Sequence, residues 1–204
     1  MQLATYWALH LLPITDLGSS PSHKRNSNVK AIMQPIYCVA YGSNLHPIRM
    51  EERVPSARVL GVVNLPELRL AFHKRSNDGS GKCLLHESRA SVDHAYGVLY
   101  ELDPAQKAGL DAAEGSGKGY FEQQVRVPLN GMDYPSFIYM ASSTHIDNSL
   151  LPYHWYKSLV LVGARFHGLP VEYIATIESV GSIEDPDPVR RQKNEDLLRK
   201  MGWT

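Results

Sequence analysis

Alternating and β-branched residues dominate the chain from Ile36 to Met140, and helical spacing takes over from Tyr153 onward. Ile36-Tyr-Cys-Val-Ala40 is a continuous apolar run, short enough for a strand buried on both faces. Residues 58–63, 69–73 and 95–102 alternate or carry β-branched side chains, and each predicts a strand. The polar stretch 76–81 between them predicts a loop. Residues 47–54 read as a short helical piece halted by Pro55. Asp103-Pro104 supplies an N-cap with proline at the first helical position, so a helix is expected to Ala113 with Gly115 as its breaker. Two further strands, 120–127 and 136–140, precede the helical region. Helices over 153–166 and 171–180 are divided by Gly168-Leu-Pro170, and Asp187-Pro188 opens a last one. The charged run 190–196 within it reads as a solvated face. Strands with one embedded helix, followed by a cluster of helices, predict an α+β fold: a mixed sheet or small β-barrel with helices packed against it.

Ahead of the first strand, residues 1–35 read as an appended, flexible segment, because 18–28 has the composition of a linker. Met33 is then an alternative initiator. The rest divides into a domain over 36–182 and a charged C-terminal helix over 183–204. With 204 residues, 43% of them hydrophobic, the chain can bury one core and carry extra segments. Its 21 Lys and Arg balance 21 Asp and Glu, which argues against nucleic acid or a charged membrane surface as partner and favours a small molecule. The apolar opening 1–12 lacks a basic n-region and a small-residue cleavage site, and no apolar stretch is long enough to span a bilayer. Two cysteines, Cys38 and Cys83, make neither a disulfide framework nor a zinc site, and fit a reducing, cytoplasmic compartment.

Two places carry candidate chemistry. The first strand runs into Tyr41-Gly-Ser-Asn-Leu45, a small polar turn. A sharp turn there, eased by positive φ at glycine, leaves backbone N–H groups free to bind an anion or a carbonyl oxygen. Downstream, Leu110-Asp-Ala-Ala-Glu-Gly115 places Glu114 in the last turn of the embedded helix. The negative end of a helix dipole and an apolar pocket both favour the protonated form of a carboxyl group, which suits a general acid/base near neutral pH.

Together with Gly168-Leu-Pro-Val-Glu-Tyr173, these motifs stand in an order that resembles the γ-glutamylcyclotransferases, over roughly residues 36–180. The resemblance implies a cofactor-free, metal-free lyase that closes a γ-glutamyl amino acid or amine to 5-oxoproline and releases the amino acid or amine. It makes 36–182 the catalytic domain and Glu114 the proton shuttle. It assigns Cys38, Val39, Ala40, Tyr41, Gly42, Ser43 and Asn44 to substrate binding, with Tyr139 and Tyr156 as further contacts. Tyr120 is expected to pack or to line the rim, and a homodimer is compatible with the resemblance. Other readings on the same fold are a γ-glutamylamine or glutathione-directed enzyme, and a non-catalytic binding module.

Three other signals fail. Gly115-Ser-Gly-Lys118 lacks the leading glycine and the final Ser or Thr of a phosphate-binding loop. Nine histidines show no metal-ligand spacing. Ser43 lies between Tyr41 and Leu45, not in the Gly-x-Ser-x-Gly elbow of a hydrolase.

Overall fold

The strand at Ile36–Ala40 (β1) forms the middle of a five-stranded sheet. The structure is a computed structural model that describes residues 34–88 and 94–203. The expectations for 1–33, including the appended segment and the alternative start at Met33, lie outside the described residues. Three consecutive residues of β1, Cys38, Val39 and Ala40, are buried. An unbroken apolar run needs cover on both faces, and the centre of a sheet supplies it.

After β1 come α1 (Pro47–Glu51), β2 (Arg58–Pro66), β3 (Leu68–Arg75), β4 (Gly81–Glu87) and β5 (His94–Leu102). A 3-10 turn capped by Asp103 leads into α2 (Lys107–Glu114), and then β6 (Tyr120–Leu129) and β7 (Met132–Ala141) follow. The chain ends in α3 (His154–Phe166), α4 (Val171–Ser179) and α5 (Pro188–Lys200). The sheet order is β2-β5-β1-β7-β6. β1 runs antiparallel to β5 but parallel to β7, which makes the sheet mixed. β3 and β4 form a separate two-stranded ladder. Leu129 of β6 lies over Gly61 of β2, 3.1 Å from where a Cβ would stand, so the sheet edges curl towards each other. No ladder joins those edges, so of the two expected forms the mixed sheet is correct and the closed barrel is not.

Local reading missed two features. β4 was not expected, because the Gly and Ser ahead of it read as loop. β7 begins four residues before its expected start, in a hairpin whose turn residues Asn130 and Gly131 both have positive φ (51° and 77°). That pair is a strong hairpin signal.

The buried face of α3 carries Leu159, Val160 and Ala164, and the loop after β1 packs against it. Gly163 permits that approach: a Cβ there would lie 2.5 Å from the Leu45 Cβ. The fully buried Tyr100 of β5 donates its hydroxyl to the Leu45 carbonyl at 2.7 Å, and His167 Nε2 donates to the same oxygen at 2.8 Å. Packing and two hydrogen bonds thus hold the β1–α1 loop against both the sheet and the helical layer. α5 docks on α3 through Leu197 and Leu198. Its charged run is only partly solvated, since Asn194 is buried and Arg190 binds the buried Asp185. Among the described residues no helix is long and apolar enough to cross a membrane.

Candidate active site

A small cleft opens at the carboxyl end of β1. All ten residues singled out from the sequence line it: Cys38, Val39, Ala40, Tyr41, Gly42, Ser43, Asn44, Glu114, Tyr139 and Tyr156. Met50, Cys83 and Tyr120 complete the lining.

The β1–α1 loop is a tight turn closed by Leu45 N–H donating to the Gly42 carbonyl at 3.0 Å. The amides of Gly42, Ser43 and Asn44 make no hydrogen bond among the described residues. Free amides were expected there, but not for the expected reason. Gly42 is absent from the positive-φ glycines. What requires glycine is space, since a Cβ would meet the Cys83 Cβ at 3.0 Å and Sγ at 3.3 Å.

Glu114 closes α2, and Gly115 ends the helix in the left-handed conformation, φ 63°, that glycine adopts without a steric cost. Its carboxylate does not face an apolar wall, as the sequence suggested. Arg53, just beyond α1, forms an ion pair with Oε1, and Asn44 Nδ2 donates to the same oxygen at 2.7 Å. Oε2 has no partner among the described residues. Asn44 Oδ1 is sealed and unpartnered, a cost that a bound donor would relieve.

The tyrosines divide by what their hydroxyls do. Tyr156 accepts from Cys83 N–H at 3.1 Å, with its oxygen 3.6 Å from the Gly42 Cβ position. Tyr139 donates its hydroxyl to Asp111 Oδ1 at 2.5 Å. Lys107 grips the same Asp111 at 2.7 Å, and the hydrogen bonds to these two partners outweigh burial and hold the carboxyl below the usual range. Tyr41 reaches across the sheet to the Tyr139 carbonyl at 2.5 Å. Tyr120, expected to pack or to line the rim, donates to the Cys83 carbonyl and does line the cleft. Burial pushes the Tyr41, Tyr120 and Tyr156 hydroxyls well above their ordinary value, and the Cys83 thiol up to about 12. These groups are neutral donors and acceptors, and Glu114 is the carboxylate among the lining residues.

Sequence reasoning missed Arg53, Cys83 and Lys74. Arg53 meets a partner 61 residues away, which no local spacing announces. Cys83 rides on the strand that was not foreseen. Lys74 lies buried over the Tyr120 ring at 4.5 Å. Among the described residues no group of three His, Cys, Asp or Glu is placed to hold a metal ion.

The family described as AIG2-like matches residues 94–177. A gamma-glutamylcyclotransferase of Homo sapiens is 29% identical over 170 residues, covering 79% of this chain and 86% of the relative. One from Bos taurus is 26% identical over 166 residues, with the same coverage. A solved gamma-glutamyl cyclotransferase structure superposes with a TM-score of 0.71 at 26% identity, over 82% of this chain and 99% of that one. YkqA of Bacillus subtilis shares the fold, with a TM-score of 0.61 at 20% identity over 73% of this chain and 56% of its own. The likeness first seen in three short motifs therefore extends through most of the chain and through its fold.

Proposed function

We propose that the protein is a γ-glutamylcyclotransferase, a lyase that converts a γ-glutamyl amino acid or amine to 5-oxoproline and the free amino acid or amine. The observation that carries this reading is the Glu114 carboxylate, anchored through Oε1 with Oε2 left free in a cleft that also holds three unbonded backbone amides.

The nucleophile belongs to the substrate. The glutamyl head lies against the β1–α1 loop, folded so that its α-nitrogen approaches its own γ-carbonyl carbon. Holding that conformer is a proximity effect, and it replaces a search through open-chain rotamers. The amides of Gly42, Ser43 and Asn44 receive the glutamyl carboxylate, or the carbonyl oxygen as charge develops on it. The folded conformer turns the α-ammonium towards Glu114. Glu114 Oε2 takes one proton from that ammonium, the nitrogen bonds to the γ-carbon and gives up a second, and the departing nitrogen receives both through the same carboxylate in turn, leaving as an ammonium as its bond to carbon breaks. The products hold every atom of the substrate, so water is not consumed. Arg53 and Asn44 orient the shuttle, and residues 36–182 form the catalytic unit in this reading.

The test is release of 5-oxoproline, followed by mass spectrometry, from γ-glutamyl amino acids, γ-glutamyl-ε-lysine and glutathione. Product from at least one is expected. Folded protein that yields none from the whole panel overturns the proposal.

A further inference from the structure

Lys74 and Lys82 face each other across the β3–β4 ladder. Lys82 is fully engaged: its ammonium meets Asp78 Oδ2 and Ser80 Oγ, each at 2.7 Å, and lies 4.6 Å from the Tyr156 ring. Lys74 is 8% exposed and has no anionic partner among the described residues. Its ammonium lies over the face of Tyr120, and the Cβ position of Gly119 is 3.1 Å from the nitrogen and 2.9 Å from His145 Cδ2. A buried cation without an anion is costly unless something supplies one.

The surrounding charges do not balance. Glu114 is matched by Arg53 and Asp78 by Lys82, so Lys74 is a surplus positive charge one ring away from the cleft. Both Glu114 and Asp78 are near enough to act on its ammonium, which burial pushes below its ordinary range and these two acids pull back. Among the described residues three side-chain polar atoms are sealed without a partner, and the Lys74 nitrogen is not one of them.

This inference rests on the cyclisation reading above. The leaving nitrogen must stand beside Glu114 to receive its proton, so whatever it carries extends along the neighbouring wall, where Tyr120 lies. The geometry points to Lys74 as the residue that reads a carboxylate on the leaving group, selecting γ-glutamyl amino acids over γ-glutamyl compounds whose leaving part is uncharged. Charge complementarity agrees. A γ-glutamyl amino acid brings two carboxylates and one ammonium, and its second carboxylate meets the unmatched cation. A γ-glutamylamine brings one of each and leaves Lys74 without a partner.

The experiment compares kcat/KM for γ-glutamyl-alanine and γ-glutamyl-alaninamide, which differ only in that carboxylate, using the full chain and 5-oxoproline as readout. The wild-type protein is expected to favour the acid about tenfold or more, the scale of one charge-assisted hydrogen bond. K74M is expected to bring the ratio near one, with the loss falling on KM for the acid, and K74R to retain most of the preference. A wild-type ratio near one, or a ratio unchanged in K74M, overturns the inference while leaving the cyclisation reading intact. No product from either substrate, or from the wider panel, removes that reading and this inference with it. Should K74M fail to fold, competition on the wild-type protein decides: free alanine inhibiting at a clearly lower concentration than alaninamide supports the assignment, and equal inhibition overturns it.

Discussion

Two carboxylates of the molecule are built from the same parts and end in different states. Asp185, in the connection to α5, is met by an arginine and a neutral N–H donor, as Glu114 is in the cleft. At Asp185 every acceptor site is used. Oδ1 takes Arg190 Nη2 at 2.5 Å and the Asp187 amide at 2.9 Å, while Oδ2 takes Trp155 Nε1 at 2.8 Å and Arg190 Nε at 2.7 Å. The side chain is completely buried, and the pair ties the start of α3 to the start of α5. At Glu114 both donors crowd onto one oxygen and the other is left open. A saturated carboxylate is a rivet between helices. A half-saturated one beside a cleft is oriented and still able to exchange a proton. The donor types look alike at the two sites, and the unused lone pairs distinguish them.

Breaking each member in turn sharpens the contrast. Glu114→Gln keeps volume and hydrogen bonding but removes the proton acceptor. Turnover should fall by about 10²-fold or more, the usual scale of general acid–base catalysis, with an unchanged unfolding transition. Nearly wild-type 5-oxoproline release would remove Glu114 from the reaction.

Asp185→Asn should do the reverse, lowering stability in urea unfolding by about 2 kcal/mol because Arg190 and the Trp155 indole lose a charged acceptor. Turnover should stay within about twofold, since no step of the chemistry touches it. The same group makes an acid-stability prediction. Its hydrogen bonds from Arg190 lower it from 3.8 to about 2, so its contribution is fully present above pH 3.8 and is lost as the pH falls towards 2. Urea midpoints measured across that window should converge for wild type and Asp185→Asn. A constant gap would contradict the assignment.

The smallest effect belongs to Arg53. Arg53→Met removes the ion pair that aims Glu114, and kcat should drop about tenfold with little change in KM, because orientation rather than binding is lost. Recovery in Arg53→Lys would separate the charge from simple packing. A rise in KM alone would mean that Arg53 holds substrate directly.

The elements were legible where local physics decides. Proline and aspartate at 103–104 open the turn into α2, Gly115 ends that helix, and the apolar run of β1 becomes a central strand, as their chemistry demands. The candidate residues were legible for a related reason, since a strand, a turn and a helix end are short features whose residue types carry their own signature. β4 was not, because the Gly and Ser that run into it carry the signature of a polar loop.

What the sequence by itself determined, then, is the α+β layout and the two segments that meet in the cleft, because backbone preference and side-chain alternation act over neighbouring residues. The partners of Glu114, the spatial need for Gly42 beside Cys83, and the unmatched charge of Lys74 were decided by the tertiary structure alone. Each depends on atoms tens of residues apart being brought into contact, and no local preference encodes which oxygen, which wall or which charge will be left over once packing is complete.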